Sequence, residues 1–130
     1  PFGYGLGYGT FEWGACSLST ERCNVAALEN KGLTIRFSVK NTSERGGYIV
    51  PQIYVTDVAA STVRRVKELK AFQKVWLDAG QERTVSLQLG KEAFCLWNQK
   101  MKYVAEPGVF QIELSYSAQT IWKGEFTLCI

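Results

Sequence analysis

Twelve carboxylates, four cysteines and no histidine are the reactive inventory of this 130-residue chain. Without an imidazole, Ser-His and Cys-His nucleophile pairs cannot be assembled, and the commonest general base is missing. Cys16, Cys23, Cys95 and Cys129 form no C-x-x-C pair, so the usual tetrahedral zinc sets are not expected, nor is any other metal or cofactor. Two carboxylates work as an acid–base pair only when they flank the bond being broken, and Glu12, Glu92, Glu106 and the rest sit in no recognisable motif. Their default reading is solvated surface charge, and no catalytic residue is assigned. Cys16 and Cys23 are close enough in sequence to be bridged in an oxidising compartment. Two pairs allow three connectivities, and buried thiols acting as small hydrophobes are an equal reading. Asn41-Thr42-Ser43 matches the N-glycosylation acceptor pattern, which favours a secreted chain, although the same triplet also serves as turn chemistry.

Binding chemistry has three candidates. The opening stretch "PFGYGLGYGTFEW" carries Gly3, Gly5, Gly7 and Gly9, a spacing that misses the G-x-G-x-x-G of a phosphate cradle. In an extended backbone, period two places Phe2, Tyr4, Leu6 and Tyr8 on one face and leaves the glycine face bare. One side grips and the other permits close backbone approach. Arg64, Arg65, Lys67, Lys70 and Lys74 form the densest basic stretch, relieved by Glu68. Base-stacking aromatics do not interleave with it. Lysines guarding a sheet edge explain it better than a nucleic-acid strip, in keeping with a net charge of only +3. Trp13, Trp76, Trp97 and Trp122, with Tyr4 and Tyr8, could form a platform for sugar rings, but core and interface packing is the better account of such large apolar groups.

The elements that position these residues are strands. A hydrophobic content of 46% suits one domain with its own core, and no apolar run is long enough to span a membrane. Leu33, Ile35, Phe37 and Val39 alternate with Thr34, Arg36, Ser38 and Lys40, the half-buried strand pattern. "NTSERGG" then reads as a turn. Tyr48 to Asp57 is apolar on both parities, as in a strand covered on both sides, with Pro51 demanding an edge or a bulge. Arg83 to Leu89 and Phe110 to Tyr116 alternate again, and Phe126 and Leu128 supply a last strand. With Phe11 to Cys16 and Leu69 to Trp76, about seven strands predict an antiparallel β-sandwich. The nearest helix candidate, Cys23 to Glu29, spans about two turns, a length that is marginal in isolation. The chain starts at Pro1 without an initiator Met or a leader pattern, so it is expected to be a segment of something longer.

"PFGYGL", "VKNTSERGG", "QIYVTD", "VKELKAF" and "EPGVFQIELS", in this order and at these spacings, resemble the C-terminal fibronectin type III-like domain of glycoside hydrolase family three. That family includes β-glucosidases, β-xylosidases and related exo-acting enzymes. The resemblance covers the chain from Pro1 to about Leu128. It implies an immunoglobulin-like or fibronectin type III-like sandwich. It also implies a parent whose (β/α) barrel and α/β sandwich carry the aspartate nucleophile and the glutamate acid–base for retaining hydrolysis. No catalytic residue carries over onto any position here. Gly7 and Gly9, Pro51, Arg65 and Ala71 depart from the family pattern, as in a divergent member. The expectation is therefore an interdomain joint at residues 1–9, with Phe2, Tyr4, Leu6 and Tyr8 against a preceding domain, and a non-catalytic sandwich at 10–130. Its partners would be the parent's catalytic domains, with the Val58 to Val66 loop edging the substrate entrance. The alternative is an independent carbohydrate-binding module using exposed Trp and Tyr.

Overall fold

The computed structural model describes residues 11–58, 67–97, 103–105 and 107–129. In chain order the elements are β1 (Phe11–Leu18), β2 (Arg22–Asn24), α1 (Val25–Lys31), β3 (Leu33–Asn41), β4 (Gly47–Ile49) and β5 (Gln52–Asp57). There follow β6 (Lys67–Phe72), β7 (Val75–Leu77), β8 (Glu82–Leu89), a 3₁₀ turn (Lys91–Phe94), β9 (Cys95–Trp97), β10 (Tyr103–Ala105), β11 (Gly108–Tyr116) and β12 (Gln119–Cys129). Alternation in sequence becomes alternation in burial. Leu33, Ile35, Phe37 and Val39 of β3 are buried, as are Val85, Leu87 and Leu89 of β8, and the two strands pair antiparallel with Phe37 opposite Val85.

The two large sheets run in the orders β1-β3-β8 and β2-β12-β11-β5-β6, and two short ladders, β4-β7 and β9-β10, accompany them. The inner faces of the large sheets supply one core, in which Phe37, Leu87, Ile53, Ile112, Leu114 and Phe126 are fully or nearly fully removed from water. The 3₁₀ turn drives Phe94 into this core, 5.0 Å from the Phe110 ring and 5.2 Å from that of Phe126. Trp13 closes the other end against Phe37 and Tyr116, at 5.7 Å and 5.4 Å. This is the all-β antiparallel sandwich that the strand pattern predicts.

Three local expectations change. Tyr48 to Asp57 is two strands: Val50-Pro51 breaks it, β4 pairs β7, and β5 pairs β11 and β6. Proline without an N–H cannot continue a ladder, and the chain uses that position to pass from the β4-β7 ladder into the five-stranded sheet. Leu69 to Trp76 likewise divides into β6 and β7. The marginal helix exists as α1, since Asn24 accepts the Ala27 N–H at 2.8 Å as its N-cap. Leu28 is buried in the core, so packing supplies what length does not.

Candidate functional site

Residues 47–57 and 67–77 lie side by side as one antiparallel ribbon. Tyr48 faces Trp76, Gln52 faces Phe72, Tyr54 faces Leu69 and Thr56 faces Lys67. Between the two halves the Gln73 N–H donates to the Pro51 carbonyl at 3.4 Å. Ile49, Ile53, Val55, Val75 and Leu77 turn inward and are buried. The other side carries Tyr48, Val50, Leu69, Phe72 and Trp76, exposed by 57, 38, 43, 65 and 42%. These are the large exposed hydrophobics of the described residues, and all five stand on this ribbon.

The aromatic end of the ribbon is held firmly. Trp76 Nε1 donates to Asp78 Oδ1 at 2.8 Å, and Arg83 Nη1 donates to the Trp76 carbonyl at 3.0 Å. The indole lies on Gly46, where a Cβ would overlap the ring. Tyr48 meets Trp76 edge to face with centroids 4.8 Å apart, and Lys74 Nζ sits 4.2 Å from the Tyr48 centroid. One face of the tyrosine is thereby occupied by a cation.

Of the basic stretch, Arg64 and Arg65 lie outside the described residues. Lys67 Nζ is 3.3 Å from Glu113 Oε2, Lys70 Nζ is 3.6 Å from Glu68, and Lys74 covers Tyr48. Each described cation has a local partner along the edge strand β6, as edge protection requires.

Glu113 is the buried carboxylate of the described residues, 4% exposed. Burial alone would push its carboxyl up, but hydrogen bonds from Ser115 Oγ, Thr120 Oγ1 and Lys67 outweigh that and hold it below the ordinary value. A general acid at neutral pH needs the opposite shift. The arrangement stitches strands together and donates no proton.

Three of the thiols are shifted away from the thiolate form. All four cysteines are free. Burial pushes Cys16 up to about 12, and burial also raises Cys23 and Cys95; a nucleophilic cysteine needs a depressed value. Cys16 stands on β1 and Cys23 on β2, in different sheets.

Asn41 is fully buried. Its Nδ2 donates to the carbonyls of Arg45 at 2.8 Å and Leu77 at 3.0 Å, and its Oδ1 accepts from Ser43 N and Ser43 Oγ. The nitrogen that a glycan would need donates to two carbonyls of this turn, the turn chemistry that the triplet also allows. Among the described residues the three platform tryptophans are not gathered on one exposed face. Trp13 is 2% exposed, Trp122 lies over Gly124, and only Trp76 of these three is exposed. Phe2, Tyr4, Leu6, Tyr8 and the loop from 59 to 66 lie outside the described residues, as does the Trp97 side chain. Sequence reasoning missed the Glu113 cluster, whose only signal was a carboxylate opposite Lys123 and Tyr54 on the polar parity of β11.

Two packed sheets, antiparallel except for the short parallel pairing of β2 with β12, define a fibronectin type III-like sandwich. Residues 49–118 match the family described as the fibronectin type III-like domain, and the chain belongs to that family. It is 41% identical to the periplasmic β-glucosidase of Salmonella typhimurium over 98% of this chain and 16% of that protein. It is 39% identical to a β-xylosidase of Formosa agariphila over 92% of this chain and 16% of that protein. The β-glucosidase of Listeria innocua, solved with gluconolactone, superposes with a TM-score of 0.79 at 39% identity, covering 98% of this chain and 17% of that one. The chain thus spans about a sixth of the length of these relatives, and matches the enzymes to which its ordered motifs pointed.

Proposed function

We propose that the chain is the non-catalytic accessory module of a retaining, exo-acting β-glycosidase, bracing catalytic domains that carry the nucleophile and the acid–base. The observation that carries this reading is the coverage: nearly the whole chain aligns with a β-glucosidase, yet only 16% of that enzyme is needed to contain it. The chemistry agrees, because the buried carboxylate is held toward its ionised form and the thiols of Cys16, Cys23 and Cys95 toward their protonated form. Residues 1–9 serve as the joint, with Phe2, Tyr4, Leu6 and Tyr8 set against the preceding domain by their alternation in sequence. The name of the Salmonella relative favours a location outside the cytoplasm.

The test has three arms. The isolated chain, given a chromogenic β-glucoside, is expected to show no turnover, whereas release of the chromophore would refute the reading. The reading frame upstream of Pro1 is expected to encode the two catalytic domains. Limited proteolysis of the isolated chain should cut within residues 1–9 first.

A further inference from the structure

Every large hydrophobic side chain exposed among the described residues stands on one ribbon, although the sandwich has two sheets and several loops on which to scatter them. Singly exposed apolar groups are ordinary, but a contiguous set marks a contact surface. Register and one backbone hydrogen bond set them in sequence along the ribbon. Tyr48 faces Trp76, Leu69 is two ladder positions from Phe72, and Val50 lies at the crossing where Gln73 meets Pro51. Trp76 is pre-oriented by Asp78, Gly46 and Tyr48, so little side-chain entropy is lost when something packs on it.

We propose that this stripe, Tyr48, Val50, Leu69, Phe72 and Trp76, is a protein docking surface, and that its occupant is the catalytic part of the longer chain. The inference rests on the bracing-module reading and names its contact surface. Three observations select the occupant. The relatives contain about six times as much chain as is present here, since this domain fills 16% of them, so a large body of protein is available to cover the stripe. A second copy pairing along β6 would meet Lys67 and Lys70 already matched to Glu113 and Glu68 within their own chain, so the edge offers it no free counter-charge. A sugar ring needs an open aromatic face, but Lys74 covers one face of Tyr48 and Gly46 lies under Trp76.

The test is hydroxyl-radical footprinting of this chain alone and of the longer protein obtained by extending the reading frame upstream of Pro1. In the longer protein, oxidation of Leu69, Phe72 and Trp76 is expected to fall at least about fivefold relative to Trp122, as for side chains at a water-excluded interface. Unchanged oxidation in a longer protein that hydrolyses glycosides would overturn the docking surface and leave the bracing reading standing. A longer protein without hydrolase domains would overturn both. Concentration-dependent protection of the stripe in the isolated chain would assign it to a second copy. Retention on insoluble polysaccharide, abolished by Trp76→Ser, would assign it to carbohydrate; either result overturns the proposal. As a second measurement, the double variant Leu69→Ser/Phe72→Ser is expected to leave the denaturation midpoint of the isolated chain unchanged. In the longer protein it should speed proteolytic release of the domain at least about fivefold, and an unchanged release rate would count against the surface.

Discussion

The ammonium of Lys67 reaches 3.3 Å from Glu113 Oε2 across the intervening strand β5, passing 5.0 Å from the Tyr54 ring centroid. Edge strand β6 is thus tied to β11, and Thr120 ties β12 to the same oxygen at 2.8 Å. One buried carboxylate thus joins three strands of the five-stranded sheet, β6, β11 and β12, with β5 lying between the first two.

Replacing Glu113 by Ala leaves Ser115 Oγ, Thr120 Oγ1 and Lys67 without their shared acceptor. Because hydrogen bonds to a charged group contribute about 1.5–3 kcal/mol, and Lys67 is half exposed, a loss of roughly 1–3 kcal/mol is expected. The pH dependence follows from the sign of the shift. The folded carboxyl lies below the ordinary 4.5, so its contribution is present above that pH and fades as pH falls through the lower, folded value. Urea midpoints measured from pH 7 downward should show a steeper acid loss in the native chain than in Glu113→Gln. Parallel curves would refute the assignment.

Asn41 makes a second prediction. It is fully buried and engages two carbonyls and both Ser43 groups, so Asn41→Ala removes four hydrogen bonds at the end of β3, and of the partners left behind Ser43 Oγ and the Arg45 carbonyl keep each other. At about 1 kcal/mol for each buried hydrogen bond, with some recovered by water, the cost is roughly 2–4 kcal/mol by chemical denaturation. Expression through a eukaryotic secretory route should give a mass without glycan increments. A glycan on Asn41 would contradict the geometry.

Strands whose alternation was unbroken were legible because burial on one face writes itself into every second residue, as in Leu33 to Val39 and in Val85 to Leu89. The ribbon was not, because its two halves change sheets at Pro51, and a change of partner leaves no periodic mark. Tyr48 and Trp76 illustrate the point. Their types suggested the inside, yet the crossing turns them outward together. α1 was visible only as a marginal candidate because its stability comes from Leu28 in a distant core and from the Asn24 cap. The Glu113 cluster was invisible because it joins residues 67, 113, 115 and 120 through tertiary pairing. The first half of β12 was missed because the hairpin before it turns on Ser117 and Ala118, with φ of 52° and 66° and none of the usual Asn-Gly chemistry.

Gly32 ends α1 with φ of 69° and ψ of −178°, a region open almost only to glycine. A Cβ there would also come within 2.9 Å of the Leu89 carbonyl, which is backbone and cannot swing aside. Gly32→Ala is therefore expected to cost about 1–3 kcal/mol, read as a lower thermal midpoint. An unchanged midpoint would show that the cap relaxes without cost.

The opposite sign is expected at Ala118. Its φ of 66° is nearly that of Gly32, but here an L side chain already occupies left-handed backbone, at a strain of roughly 1–2 kcal/mol. Glycine would relieve that strain while adding freedom to the unfolded chain, an offset of about 0.4–1 kcal/mol. The net effect of Ala118→Gly is stabilisation by about 0.5–1 kcal/mol, with no change in the denaturant slope, because the surface exposed on unfolding is the same. Two substitutions at matched φ thus move stability in opposite directions, a contrast that depends on the backbone alone and not on any lost contact. A destabilised Ala118→Gly chain would mean that the Ala118 methyl group packs in the hairpin strongly enough to outweigh its own strain.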